Sequence, residues 1–235
     1  MQQNNVILSE WLKVKGVSLV GFADLHGVDA AEKQNMPYGV CIAIALNVFP
    51  SVGDTPSPAY YKEYKEVSAR LKEISLELEG KIQSLGYRAV SLAREKQNRH
   101  FVTPLPFKTL ATRSGLGWIG RSAVLVTREY GAAVRLNGVI TDMPFQTGTP
   151  VTASFCGDCH ACVDACPGRA VKGELWSVGT KRSRLLNPYK CSRTVGKRGK
   201  RIGVTDGSFG VCLAVCPWTK KYMEKCRTDE SVSEF

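Results

Sequence analysis

Seven cysteines in the C-terminal third of the chain follow a spacing that constrains its fold more than any other feature. Residues 156–167 read C-x2-C-x2-C-x3-C-P, and residues 212–217 form a second C-x3-C-P after a single Cys191. Such short spacing lets three thiolates converge on one cubane, while the fourth cysteine of the run ligates a neighbouring cluster. The pattern predicts two iron–sulfur clusters and hence redox chemistry. The predicted ligands are Cys156, Cys159, Cys162, Cys166, Cys191, Cys212 and Cys216.

The composition predicts a globular chain with reduced thiols. Its 235 residues, 43% of them hydrophobic, can build one domain of catalytic size and a small cluster-binding lobe. No run of 18 apolar residues is present, so we expect no transmembrane helix. The first residues lack the basic and apolar regions of an export signal. Nine cysteines at metal-ligand spacing in such a chain favour a cytoplasmic location over a disulfide framework.

The net charge of +11 is unevenly distributed. Residues 181–201 contain nine Lys or Arg and no Asp or Glu. A basic segment of this kind can be a solvated loop that balances anionic clusters, a docking site for an acidic electron donor, or a nucleic-acid contact. No basic motif with interleaved aromatic residues accompanies it, so the first two interpretations are preferred and a nucleic-acid partner is not expected.

The first 150 residues alternate between strand and helix patterns, which favours an α/β fold. Apolar residues at steps of three and four predict a helix over 60–85, and the apolar run 38–48 predicts a buried strand in which Cys41 is a small core residue. After Pro150 the composition changes to Cys, Gly and basic residues, so we place a lobe boundary there, between 1–150 and 151–235. Further strands are predicted over 17–23, 87–93, 122–127 and 135–141, and a further helix over 107–113.

A glycine-rich loop lies in the middle of the chain. Gly115–Gly120 formally matches G-x-G-x-x-G, but a dinucleotide fingerprint needs a strand before it and a helix after it. Here a helix is predicted before the loop and a strand after it, so a Rossmann site is rejected. The glycines instead predict a backbone that comes close to something flat or bulky. The loop residues proposed to bind a cofactor are Gly115, Leu116, Gly117, Trp118, Ile119 and Gly120.

The motifs taken together resemble a known family. The segments SGLGWIGRS at 114–122, EYG at 129–131, GVITDMP at 138–144 and CPW at 216–218 occur in one order with the two C-x3-C-P runs. This set, spanning about residues 37 to 222, resembles epoxyqueuosine reductase and, more distantly, the reductive dehalogenases. The resemblance implies a nitroreductase-like catalytic lobe, a C-terminal two-cluster ferredoxin-like lobe, and a base-off cobalamin above a 4Fe–4S cluster. Flavin in the same lobe is a weaker alternative.

The resemblance also implies how the thiols divide between clusters. Cluster one would use Cys156, Cys159, Cys162 and Cys216, and cluster two would use Cys166, Cys191 and Cys212. The family's eighth cysteine falls at Phe209, so cluster two lacks one thiolate. It is then either a 3Fe–4S cluster or a 4Fe–4S cluster completed by Cys226, by an oxygen ligand such as Asp206, or by an external group.

Several family positions differ in this chain. The family's catalytic acid, three residues before the position of Pro104, is absent, and the helical-repeat extension that helps those enzymes hold tRNA does not follow Trp218. Reduction of epoxyqueuosine itself is therefore not expected, and the substrate stays unassigned. The differing residues are Phe101 for the acid, Phe107 for a Glu, Lys65 for a His, and Arg121-Ser122 for Lys-Asn.

Two functional hypotheses follow. The first is a cobalamin-binding iron–sulfur reductase that takes electrons from ferredoxin or flavodoxin through two clusters to a corrinoid and a small-molecule substrate. The second is an electron-transfer protein that reduces a corrinoid or flavin on a partner protein. A lobe of about 150 residues favours the enzyme, because a carrier needs no such pocket. Candidate residues near the cofactor or substrate are Tyr64, Arg113, Arg121 and Tyr130, each of which could instead be structural.

Overall fold

The protein is described by a computed structural model that covers residues 1–29, 31, 33–204 and 210–232. Its elements in chain order are α1 (Gln2–Val14), β1 (Leu19–Asp24), β2 (Tyr38–Ala45), α2 (Pro58–Ser84), β3 (Ala89–Ser91), α3 (Phe107–Arg113), β4 (Trp118–Ile119), β5 (Leu125–Val126), β6 (Val134–Thr141), α4 (Ala161–Asp164), α5 (Arg182–Leu185), α6 (Pro188–Gly199), α7 (Val211–Ala214) and α8 (Pro217–Val232). The fold is mixed α/β.

The chain forms two compact units, and neither is one continuous segment. The first consists of Met1–Ile44, Val67–Gly117 and Arg135–Val151. The second consists of Ala45–Glu66, Trp118–Val134 and Thr152–Phe235. One border thus falls beside the predicted boundary at 150. Two earlier segments, however, cluster with the cysteine-rich residues rather than with the rest of the N-terminal sequence.

The first unit is built on a four-stranded sheet of order β1-β2-β6-β3. Strands β1 and β2 are antiparallel, as are β3 and β6. Strand β2 is buried along six of its eight residues, which confirms the prediction of a core strand. Cys41 is fully buried there, and burial raises the pKa of its thiol to about 12, so it behaves as a small core residue.

Helix α2 confirms the apolar stripe seen in the sequence. Leu71, Ile74, Leu78 and Ile82 are each at most 4% exposed and pack in one core cluster with β2 residues such as Val40. Burial of each such side chain stabilises the fold by about 1.5–3 kcal/mol. Among the described residues, no helix is long and apolar enough to cross a membrane.

The second unit contains a tight hairpin where the sequence predicted a longer strand. Trp118 pairs with Val126 and Ile119 with Leu125. The predicted strand over 122–127 is therefore too long, because residues 120–123 form the turn: the Ala123 N–H donates to the Gly120 carbonyl at 2.9 Å. Ala123 has a positive φ of 59°, which a continuing strand would not allow. The hairpin places Arg121 in its turn.

Candidate metal centre

All seven predicted ligand cysteines belong to the second unit, on short elements joined by tight turns. Cys156 and Cys159 lie in the loop before α4, and Cys162 lies on that helix. Gly157 adopts a positive φ of 51° between the first two, a conformation that favours glycine. The remaining ligands are Cys166 after α4, Cys191 on α6, Cys212 on α7 and Cys216 directly before α8.

Four of the thiols form one electrostatic group. Burial and the neighbouring thiols Cys156, Cys216 and Cys159 together raise the pKa of Cys162 to about 11. The pKa of Cys216 is also raised by burial, with a contribution from Cys156. Because Cys216 is distant from the others in sequence, its position beside them is a result of folding.

The other three thiols form a second group. Burial raises the pKa of Cys191, and Cys166 adds to the effect. Burial raises the pKa of Cys212 to about 12, with contributions from Cys191, Cys162 and Cys166. Cys162 therefore neighbours both groups. Partly buried thiols that repel one another as thiolates fit a site in which bound iron supplies the compensating positive charge.

In the part of the chain that the structure describes, no three His, Cys, Asp or Glu side chains are placed to hold one metal ion. A cubane offers each thiolate its own iron atom, so its ligands stand further apart than those of a single ion.

Backbone and hydroxyl donors surround the ligand sulfurs. The Ala170 N–H donates to Cys166 Sγ at 3.2 Å. Cys216 Sγ accepts hydrogen bonds from the backbone of Thr219 and Trp218 and from the Thr219 side chain, and these lower the pKa of that thiol against the effect of burial. Hydrogen bonds to cluster sulfurs are one of the factors that set reduction potential.

Two glycines permit the close packing that assembles the thiols. Gly131 has a positive φ of 55°, and a Cβ there would lie 2.3 Å from the Thr219 nitrogen at the start of α8. Gly168 follows the first C-P run, and a Cβ there would lie 2.2 Å from Thr194 Oγ1 on α6. Helix α6 carries Cys191, so Gly168 allows that cysteine to approach the segment of Cys166.

An aromatic cluster beside the first thiol group was missed by the sequence interpretation. The Trp118 ring is 1% exposed and meets Phe155 and Trp218 edge to face, with centroid distances of 5.2 and 5.1 Å. Phe155 directly precedes Cys156, and Trp218 is two residues after Cys216. The sequence signal that could have predicted this cluster is the position of Phe155 and Trp218 next to ligand cysteines.

Arg121 is the one candidate residue that the structure places against the cysteine loop. It is 7% exposed, and its Nη2 donates to the Gly157 carbonyl at 2.6 Å while Nη1 donates to the Gly173 carbonyl. Gly157 lies between Cys156 and Cys159. Arg121 thus holds the loop that carries two predicted ligands.

The other three candidates lie elsewhere in their units. Arg113, in the first unit, donates to the carbonyls of Asp24 and His26, which is a structural contact. In the second unit, Tyr64 packs 6.2 Å from the Tyr60 ring, and Tyr130 packs 5.1 Å from the Tyr222 ring. None of these contacts by itself indicates catalysis.

Two glycines of the predicted cofactor loop are closely packed against other parts of their units. Gly115 ends α3 with a positive φ of 80°, and a Cβ there would lie 2.8 Å from the Thr149 carbonyl oxygen. A Cβ on Gly120 would lie 2.9 Å from Val126. Packing of the chain on itself accounts for these two glycines, and the role of the loop in binding a cofactor stays a prediction.

The structure places Cys226 on α8, and its role as a ligand of cluster two stays a prediction. Cys226 forms a side-chain hydrogen bond with Tyr222 on α8, and this bond adds to burial in raising the pKa of that tyrosine. The Tyr222 hydroxyl also donates to Asn47 Oδ1 at 2.8 Å. The alternative ligand Asp206 and the position Phe209, where the family cysteine is missing, lie outside the described residues.

The basic segment predicted from the sequence forms α5, α6 and the turn after them. On α6, Lys190, Arg193 and Lys197 are exposed at steps of three and four, so they share one face of the helix. The helix begins with Asn187, whose side chain accepts from the Lys190 N–H at 3.0 Å, and Pro188 follows as its first residue. Nearby, Arg184 is neutralised by Glu174.

Comparison with known proteins supports the cluster site. The 4Fe-4S double cluster binding domain family matches residues 155–219. Epoxyqueuosine reductase of Pseudomonas aeruginosa is 26% identical, over 91% of this chain and 61% of the relative. That of Cellulophaga algicola is 31% identical, over 76% of this chain and 58% of the relative. The chain thus spans about three fifths of the length of such relatives.

Solved structures show the same fold. A crystal structure of epoxyqueuosine reductase with a tRNA-Tyr epoxyqueuosine-modified stem loop matches with a TM-score of 0.59 and 21% identity, over 93% of this chain and 66% of that one. A reductive dehalogenase, whose structure suggests a mechanism for B12-dependent dehalogenation, matches with a TM-score of 0.62 and 18% identity, over 93% and 32%. The chain is therefore similar in sequence to epoxyqueuosine reductases, shares a fold with them and with a reductive dehalogenase, and carries a 4Fe-4S double cluster binding domain.

Proposed function

We propose that this protein is an iron–sulfur oxidoreductase that passes electrons through two clusters. The observation that carries the proposal is the division of seven thiols into two neighbouring groups within the segment matched by the double cluster domain. Sequence similarity to epoxyqueuosine reductases supports the reductase class. A nitroreductase-like catalytic lobe is part of the proposal because the sequence resemblance implies it, and the cysteines within residues 151–235 are the cluster ligands.

The assignment of ligands follows the electrostatic groups. Cluster one is held by Cys156, Cys159, Cys162 and Cys216, and cluster two by Cys166, Cys191 and Cys212. Bound clusters supply storage and transfer of single electrons. The chain contributes buried thiolates, the N–H donors at Ala170, Trp218 and Thr219, and a position of Cys162 that neighbours both groups.

The electron input can be tested directly. Reduced ferredoxin or flavodoxin should bleach the visible absorbance of anaerobically purified protein, as dithionite should. Protein that stays colourless after reconstitution with iron and sulfide contradicts the proposal.

A second candidate is an electron carrier that reduces a corrinoid or flavin on a partner protein. It is favoured by the absence of any carboxylate from the loop 96–106, where the related enzymes have their acid.

The expectation that nucleic acid is not a partner needs correction. The sequence relatives are named for a reaction of a tRNA nucleoside, and one solved relative was crystallised with a tRNA stem loop. We therefore take tRNA as the macromolecular partner to test first. The exposed basic face of α6, formed by Lys190, Arg193 and Lys197, is the surface suited to phosphates. Epoxyqueuosine in tRNA is the substrate to assay. We expect a slow or absent reaction, because Phe101 stands where the related enzymes have their catalytic acid.

Corrinoid binding is supported only by the B12-dependent dehalogenase among the structural relatives. A bound corrinoid would supply a strongly reducing cobalt centre. Titration of hydroxocobalamin into reconstituted protein should shift its spectrum to the base-off form, and Gly117→Val should prevent the shift while preserving iron–sulfur absorbance. Absence of binding at tens of micromolar would remove the corrinoid and favour the electron carrier. The same titration with flavin tests the weaker alternative.

A further inference from the structure

Two buried N–H groups beside the first thiol group have no acceptor. Trp118 Nε1 and Arg121 Nε are both buried without a hydrogen-bond partner in the described part of the chain. The two residues belong to one hairpin, with Trp118 on β4 and Arg121 in its turn. Leaving such a donor unsatisfied costs about 1–3 kcal/mol, so each calls for an explanation.

Both donors lie next to residues that adjoin predicted ligands of cluster one. Trp118 packs between Phe155, which precedes Cys156, and Trp218, which follows Cys216 by two residues. Between the two donors, a Cβ on Gly120 would lie 3.6 Å from Cys156 Sγ, so the hairpin itself approaches that thiol. Arg121 binds the Gly157 carbonyl inside the cysteine loop.

The chemistry of the two donors matches an anionic cluster. An indole N–H can only donate, and a guanidinium is always charged and can only donate. Arg121 is 7% exposed, and among the described residues no carboxylate forms an ion pair with it. Buried charges of this kind are normally paired. A cluster with four thiolate ligands has net negative charge, which increases on reduction, and its sulfide atoms accept hydrogen bonds.

We infer that Trp118 Nε1 and Arg121 Nε donate hydrogen bonds to sulfur atoms of cluster one and raise its reduction potential. This inference rests on the proposed function, because it requires the cluster at Cys156, Cys159, Cys162 and Cys216. Both residues are positioning and tuning groups rather than catalytic ones. Hydrogen bonds to cluster sulfurs stabilise the more negative reduced state, so each donor raises the potential.

The test is a redox titration of cluster one in the reconstituted full chain, followed by paramagnetic resonance. Trp118→Phe removes the N–H but keeps an aromatic ring, and it should reduce the equilibrium constant for cluster reduction by about threefold to tenfold, at most about 59 mV for one electron. Trp176→Phe is the matched control, because Trp176 lies in the same unit and its indole N–H is not among the buried unpaired ones. It should leave the potential unchanged.

Arg121→Lys keeps the charge but removes Nε–H, and it should lower the potential in the same direction as Trp118→Phe. Trp118→Phe protein that fails to assemble clusters leaves a second test. Trp218→Phe protein is labelled with ¹⁵N at the indole nitrogen of its tryptophans, so that Trp118 keeps its label and the neighbouring Trp218 contributes none. Paramagnetic resonance then detects any coupling of the label to the reduced cluster. A ¹⁵N coupling to the reduced cluster supports the inference, and no coupling overturns it. An unchanged potential in Trp118→Phe with both clusters intact also overturns it. Wild-type protein that binds no iron overturns the proposed function instead.

Discussion

At the scale of single residues, the functional assignment depends most on Cys216. Its sulfur is partly buried, neighbours Cys156, and accepts hydrogen bonds from the first turn of α8. Cys216→Ser should therefore abolish the paramagnetic signal of cluster one and preserve that of cluster two. Cys226→Ser is the matched control, since Cys226 bonds to Tyr222 and should leave the signal of cluster one unchanged. Loss of only the second cluster's signal in Cys216→Ser would show that the ligand division is wrong.

Gly131 provides a second test at this scale. A methyl group at Gly131 would collide with the backbone at Thr219 and Trp218, beside Cys216. Gly131→Ala should lower the free energy of unfolding by about 2–4 kcal/mol, from left-handed strain and overpacking together. Gly179 also has a positive φ but open space around its Cα, so Gly179→Ala should cost only the strain, about 1–2 kcal/mol. Denaturation of the two holoproteins in urea gives the comparison, and equal losses would contradict the proposed packing.

At the scale of elements, the sequence predicted long, periodic segments well and short ones poorly. Helix α2 and strand β2 were predicted because their apolar patterns extend over many residues. The hairpin at 118–126 was not, because the left-handed Ala123 ends one strand and no glycine marks that position. The spacing of the cysteines identified the thiols, but the aromatic contacts of Trp118 depend on tertiary packing that no local pattern encodes.

Helix α6 carries the prediction for a nucleic-acid partner. Arg193→Glu combined with Lys197→Glu should weaken binding of a tRNA anticodon stem loop and reduce the slope of log affinity against log salt by about one per lost phosphate contact. Lys13→Glu combined with Lys72→Glu, exposed on α1 and α2, is the control with the same change of net charge and should have a smaller effect. Fluorescence anisotropy at several salt concentrations measures both. Equal effects of the two charge changes would exclude α6 as the binding surface.

At the scale of the whole molecule, the sequence suggested two consecutive lobes. The structure instead forms two units whose segments alternate along the sequence. The segments Ala45–Glu66 and Trp118–Val134 precede the cysteines by many residues but cluster with them. The change of composition after Pro150 marks where the cysteine-rich segment begins. It does not reveal which earlier segments belong to the same unit. Two residues of the earlier segments show why they belong to this unit. Gly131 packs against the start of α8, next to Cys216. Arg121 donates to the Gly157 carbonyl in the loop between Cys156 and Cys159.

The central claim is that this chain binds two iron–sulfur clusters. The most direct measurement is the iron content of the anaerobically reconstituted protein, with acid-labile sulfide determined on the same sample. Two clusters predict about seven or eight iron atoms per chain, depending on whether the second is of the 3Fe–4S or the 4Fe–4S type. A value near four, with one paramagnetic species on reduction, would contradict the two-cluster assignment.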